Sequence, residues 1–157
     1  MVLTAHLQEQ LLHNREEVNI VKLNPDCIRD ILIYVEENTG YSKNAVFRNV
    51  FYEMDDPTEF TLEHPSYALI EKYGSDVLYY HIDYCEKAGL IEDTINYADA
   101  FEVKDLTPFG HDFLANIRDD SNWNRVKDIS SSVGSKGLDA LVQISSNVIA
   151  SIIQSKF

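Results

Sequence analysis

The stretch SYALIEKYGSDVLYYHIDYCEKAGLI, residues 66–91, restricts the fold of this chain more than any other. A helical pattern runs up to Gly74, a second begins directly behind it, and Gly89 stops that one ahead of Leu90 and Ile91, which open a strand. Ser75 is placed to cap the second helix, its hydroxyl taking an orphan backbone N–H. Leu78, His81, Ile82 and Cys85 recur at i, i+3, i+4 and i+7, so one face is largely apolar. Gly89 tolerates the left-handed conformation, and Leu90 can fold back onto the last turn. This is helix-turn-helix grammar, and the acidic, hairpin-like segment behind it predicts a wing. The face opposite the apolar one carries Asp76, Tyr79, Tyr80, Asp83, Glu86 and Lys87, which the register turns outward.

The flanking segments extend this to a mainly α fold with a small β-wing, a winged helix-turn-helix-like domain followed by a C-terminal amphipathic helix. Asn24-Pro25-Asp26 starts a helix with a cap, a first-position proline and an acid in the first turn, and Ile28, Ile31, Leu32 and Val35 give it a core face. In residues 41–56, Val46, Phe47, Val50, Phe51 and Met54 have helical spacing, although their β-branched and aromatic character also suits a strand; the reading leans to helix. A short strand is expected over 59–63 and two more over 90–92 and 100–104, with 93–99 connecting them. Thr107-Pro108 starts another helix, cored by Phe109, Phe113, Leu114 and Ile117. Residues 122–130 continue helically around Trp123, and SSSVGSKG, 130–137, reads as a loop.

The last helix is the second informative stretch. Leu138, Leu141, Val142, Ile144, Val148, Ile149, Ile152 and Ile153 fall within about half its circumference, wider than the usual ~100° stripe. Such a face closes the chain's own core, pairs with its copy in a homodimer, or engages a partner; closing the core is the favoured of these. Ser145 lies within the stripe, where its hydroxyl can bond back to the helix. Lys156 alone is too little for a membrane-surface role.

The length of 157 residues fits one domain with an appendage: an N-terminal extension over 1–20, the winged-helix-like domain over 21–131 and the C-terminal helix over 132–157. Within the extension Leu3, Leu7, Leu11 and Leu12 form only a thin apolar stripe. No signal peptide and no spanning run are visible, so a cytoplasmic location without membrane attachment is expected. Cys27 and Cys85 lack metal-ligand spacing and read as reduced, buried thiols.

Three segments resemble the DUF2513 family, small proteins common in phages and prophages: KLNPDCIRDILIYVEEN (22–38), YHIDYCEKAGLIED (80–93) and LTPFGHDFLANIRDDSNWNRVK (106–127). The LTxxGHxFLxxIRxxxxW run is the specific part, whereas AGLI is shared by winged helices at large. The resemblance implies a winged-helix-like fold and a mobile-element setting, and it brings no catalytic residue. Family members tend to begin near Lys22, which makes residues 1–20 an upstream extension or a start-site choice.

Charge then separates the functional classes. The chain carries a net −13, with 21 acids against 8 bases over 21–120 and 2 against 4 over 121–157. The outward face of the second helix holds three acids and one base, and the wing region holds Glu92, Asp93, Asp99, Glu102 and Asp105 against Lys104. DNA affinity comes largely from Lys and Arg on phosphates, so duplex DNA is a secondary expectation, through the helix over 75–88. The primary expectation is a non-catalytic regulatory module whose partner is a protein of host or phage, in its sharpest form an inhibitor that presents a nucleic-acid-like acidic surface. For an enzyme the support is thinnest: there is no HExxH, no zinc spacing and no Gly-rich phosphate loop, so no catalytic residue, cofactor or metal is assigned. His81 lies on the apolar face and is expected to be a satisfied core histidine. Asp119-Asp120 end one helix or cap the next, and the sequence does not choose.

Overall fold

Asn24, Pro25 and Asp26 open the first helix in the structure, a computed structural model that describes residues 21–48, 62–98 and 100–157. Helix α1 (Pro25–Asn38) is capped by the Asn24 side chain, which accepts the Cys27 N–H, and it buries Cys27, Ile28, Ile31, Leu32 and Val35. A turn closed by reciprocal Gly40–Lys43 backbone bonds leads into strand β1 (Ala45–Arg48).

This strand corrects the helical reading of 41–56. Ala45 and Phe47 alternate inward and pair with a later strand, and residues as β-branched and aromatic as these take the conformation their partner imposes. The rest of that stretch lies outside the described residues, as do 1–20 and most of the strand expected over 59–63. The two residues of the latter that are described, Leu62 and Glu63, are helical.

Helices α2 (Tyr67–Tyr73) and α3 (Ser75–Lys87) meet at Gly74 alone, held at φ +79°. Its N–H donates to Ile70 O at 2.7 Å and its carbonyl accepts the Leu78 N–H, so one residue both ends α2 and caps α3. Ser75, expected to be that cap, is the first helical residue and makes no side-chain capping bond. The N-cap position falls on Gly74, whose positive φ makes the tight turn between the helices, so Ser75 lies one residue too far in to cap. At the far end Gly89 takes φ +75° and Leu90 N–H reaches back to Cys85 O at 2.8 Å.

The hairpin behind α3 contains four short strands: β2 (Ile91–Glu92), β3 (Ile95–Asn96), β4 (Ala100–Val103) and β5 (Asp105–Leu106). β2 pairs with β5, while β4 lies between β1 and β3, all antiparallel. Asp93, at φ +53°, kinks the outgoing arm between β2 and β3. Residues 95–96, expected in a plain connection, are therefore part of the sheet.

Helix α4 (Pro108–Ile117) is capped by Thr107, whose hydroxyl oxygen accepts the Gly110 N–H. Helix α5 (Asp120–Val133) is capped by Asp119, which accepts the Asn122 N–H at 3.0 Å and decides the question left open for Asp119-Asp120. α5 runs four residues into the predicted loop before Gly134, at φ +73°, stops it. Ser130 stays in the helix because its buried hydroxyl donates to Ser135 O.

Helix α6 (Leu138–Lys156) lies against α4 and α5. Leu138, Leu141 and Val148 join the same apolar cluster as α1 and α3, so this helix closes the core. Val142, Ile149 and Ile152 are half-buried at its edge, and the Ser145 hydroxyl donates back to Val142 O. The protein is thus mainly helical with a small antiparallel sheet.

Two of the motifs that carry the family resemblance are cross-linked by a polar clamp. Arg29 of α1 donates to Ile117 O and Arg118 O, the carbonyls at the end of α4, and pairs with Asp120 at 2.7 Å. Asp26 accepts from Trp123 Nε1 at 2.7 Å and Lys127 Nζ at 3.0 Å. Arg118 pairs with Glu36. The IRxxxxW signature therefore has a structural account as the fastening of α4 and α5 to α1.

Burial alone would push the Asp26 carboxyl up, but the Trp123 and Lys127 donors outweigh it and hold it below its ordinary 3.8. A depressed carboxyl contributes stability above its unfolded-state value, and loses it as pH falls through the folded one. Thermal midpoints are accordingly expected to drop below about pH 4, and to drop less steeply in Asp26→Asn; parallel profiles would remove Asp26 from the acid response.

Candidate interaction surface

Helix α3 presents a solvent face because Leu78, His81, Ile82 and Cys85 are fixed in the core beneath it. Asp76, Tyr80, Asp83, Glu86 and Lys87 are all exposed, with Tyr80 at 46%. Tyr79 is a correction. It is 8% exposed, its hydroxyl donates to Arg48 O at 2.8 Å, and its ring lies 4.8 Å from that of Phe101. Tyr79 sits one position from Leu78, at the margin of the apolar arc, and the β1–β4 sheet covers that margin. A helical register shows the arc but not which neighbour will widen it.

The single base of this face adds no free cation. Lys87 bonds Asp83 at 2.6 Å one turn away, and that hydrogen bond and charge raise its pKa. What remains is Tyr80 flanked by the carboxylates of Asp76, Asp83 and Glu86.

The hairpin continues the same character. Asp93 is exposed and only 3.6 Å from Lys104, and Glu102 accepts the Asn44 side-chain N–H at 2.7 Å. Ile95 and Tyr97 are each 47% exposed. Glu86, Asp93 and Ile95 line one shallow depression where the end of α3 meets the hairpin. Ile95 and Tyr97 were missed as surface candidates because 93–99 was taken for a connection; the Ile-Asn-Tyr run was the available signal.

Two of the described histidines, His81 and His111, offer little chemistry. His81 is fully buried between Asn24 N–H and Val77 O. His111 Nε2 stands 3.6 Å from Asp105 Oδ1, beyond hydrogen-bond length, at the edge of an open cleft that Glu36 also lines. Thr39 also lines this cleft, but its hydroxyl donates to Val35 O at 2.8 Å. Among the described residues no group of three His, Cys, Asp or Glu side chains could hold a metal ion, and no helix is long and apolar enough to cross a membrane. Both cysteines are free and buried; burial and the nearby Asp30 push the Cys27 thiol up to about 12, and burial pushes Cys85 up as well.

The structure thus defines a mainly helical chain with a small antiparallel sheet, a net charge of −13 and no metal-holding group among the described residues. The chain belongs to the DUF2513 family, described as "Hypothetical protein", which it matches over residues 22–136. It is similar to a protein of Haemophilus influenzae described as "Uncharacterized protein", 34% identical over 138 residues, covering 85% of this chain and 99% of the relative. No solved structure matches it. No catalytic family is indicated by either likeness.

Proposed function

We propose that the chain is a non-catalytic, winged-helix-like interaction module of phage or prophage origin, acting in the bacterial cytoplasm on a protein partner. Among the described residues the order helix, strand, helix, helix, hairpin, with the first strand added to the hairpin, supports the winged-helix comparison. In such a fold α3 and the hairpin are the parts that meet DNA. The observation that carries the reading is the face α3 offers there: Tyr80 among Asp76, Asp83 and Glu86, its one base tied to Asp83.

A carboxylate ~4 Å from a phosphate is repelled by roughly 1 kcal/mol in water. A face of this kind fits a basic surface instead, and the target it suits best is a nucleic-acid-binding protein whose site it would occupy. The alternative is a DNA-binding regulator using the helix over 75–88, which draws on the element order alone. A homodimer through α6 would draw on the exposed Ile153 and Phe157 and the half-buried Val142, Ile149 and Ile152, since Leu138, Leu141 and Val148 are already in the core.

The test pairs two measurements. Fluorescence anisotropy with duplex DNA at physiological salt is expected to show no binding; binding with a steep salt slope would select the alternative. Affinity capture from host lysate is expected to retain a protein that heparin displaces and that Tyr80→Ala with Glu86→Lys no longer retains. A captured protein indifferent to both would move the interface elsewhere.

A further inference from the structure

We propose that the cleft between the start of α1 and the α5–α6 junction binds a small molecule through a phosphate monoester. This site is separate from the α3 face and does not depend on the function proposed for it. Its volume is about 340 Å³, the lower end of the range for small-molecule sites.

Lys22, Lys127 and Lys136 line it, and Asp26 is its one acid. The chain as a whole has 26 acids against 13 bases, yet the charges around this cleft stand three to one the other way. They also come from separate places: the lead into α1, the body of α5 and the loop before α6.

Lys127 is held by Asp26 at 3.0 Å, whereas Lys22 and Lys136 make no ion pair among the described residues. Two unpaired ammonium groups facing one cleft suit a dianion, and lysine binds phosphate as a point charge without demanding bidentate geometry. The Ser131 hydroxyl adds a donor at the wall, and Leu23 and Leu141 add apolar surface for the rest of the ligand. The start of α1 contributes little by itself, because Asn24 N–H is given to His81 and Cys27 N–H to the Asn24 side chain.

The experiment is a titration of the full, ¹⁵N-labelled chain with inorganic phosphate, adenosine monophosphate and adenosine, followed by amide shifts. Saturable shifts are expected at residues 22–24, 26, 127–131 and 136 with both phosphates, tighter for the nucleotide, and none with adenosine. Lys22→Gln with Lys136→Gln should weaken binding about tenfold or more, and Asp26→Asn should tighten it by releasing Lys127. Non-saturating shifts, shifts spread equally to Lys104 and Lys156, binding of adenosine as tight as the monophosphate, or indifference to the double lysine variant would each overturn the proposal.

Discussion

Gly110→Ala is expected to lower the unfolding free energy by about 3 kcal/mol or more, toward or beyond the upper end of usual overpacking costs. Gly110 lies in the first turns of α4, where alanine would ordinarily be preferred by ~1 kcal/mol. Here the helix crosses the end of the α3 stop so closely that a Cβ would overlap the Leu90 carbonyl oxygen and come within 3.0 Å of its carbon. Both atoms are backbone, so no side chain can swing aside. Nor can α4 back away, because Thr107 N–H donates to Leu90 O, the Thr107 hydroxyl donates to Gly89 O, and its oxygen caps Gly110 N–H. Displacing the helix breaks that junction as well. For a chain of this size the loss corresponds to a fall of roughly 6–12 °C in Tm. Asp112→Ala, on the exposed side of the same helix, should stay within about 0.5 kcal/mol. Equal urea midpoints for the two variants would show that the junction relaxes without cost.

This junction also shows how far the residues could be read in advance. The caps at Asn24 and Thr107 and the Gly89 stop were legible, since each is a local device whose partners lie within a few positions. The closeness of Gly110 to Leu90 was not, because it joins segments 20 residues apart and a bare glycine signals only permissiveness. The same limit explains β1. Ala45 to Arg48 carry residues suited to either state, and the strand is chosen by β4, which lies more than 50 residues on. Tyr79 fails for a related reason: the α3 register fixes the centre of the buried face, while its width depends on the sheet edge at Arg48 and Phe101. The outward acids were legible, for the helix period alone sets them opposite Leu78 and Ile82. The cleft of Lys22, Lys127 and Lys136 was invisible, since those positions have no common period and meet only when α5 folds onto α1.

His81→Leu is expected to cost roughly 2–4 kcal/mol, with His81→Gln recovering more than half. The ring is fully buried, Nε2 lies 2.8 Å from Asn24 N, and Nδ1 lies 2.7 Å from Val77 O. Asn24 N–H can only donate and Val77 O can only accept, so the ring proton belongs on Nδ1 and Nε2 is the acceptor. One neutral imidazole thus fastens α3 to the residue that caps α1. Leucine fills nearly the same space but accepts nothing, which strands the Asn24 N–H at a cost of about 1–3 kcal/mol. It also loosens the Asn24 cap, a device ordinarily worth ~0.5–2 kcal/mol. Glutamine can bring its amide oxygen near the place of Nε2 and keep the longer of these ties. Urea midpoints give the energies, and amide hydrogen exchange gives the location: in His81→Leu, protection should fall first at Asn24, Cys27 and Ile28. A leucine variant as stable as the parent, with unchanged exchange at those amides, would free His81 from this structural role and make it a candidate for chemistry that the buried geometry otherwise denies it.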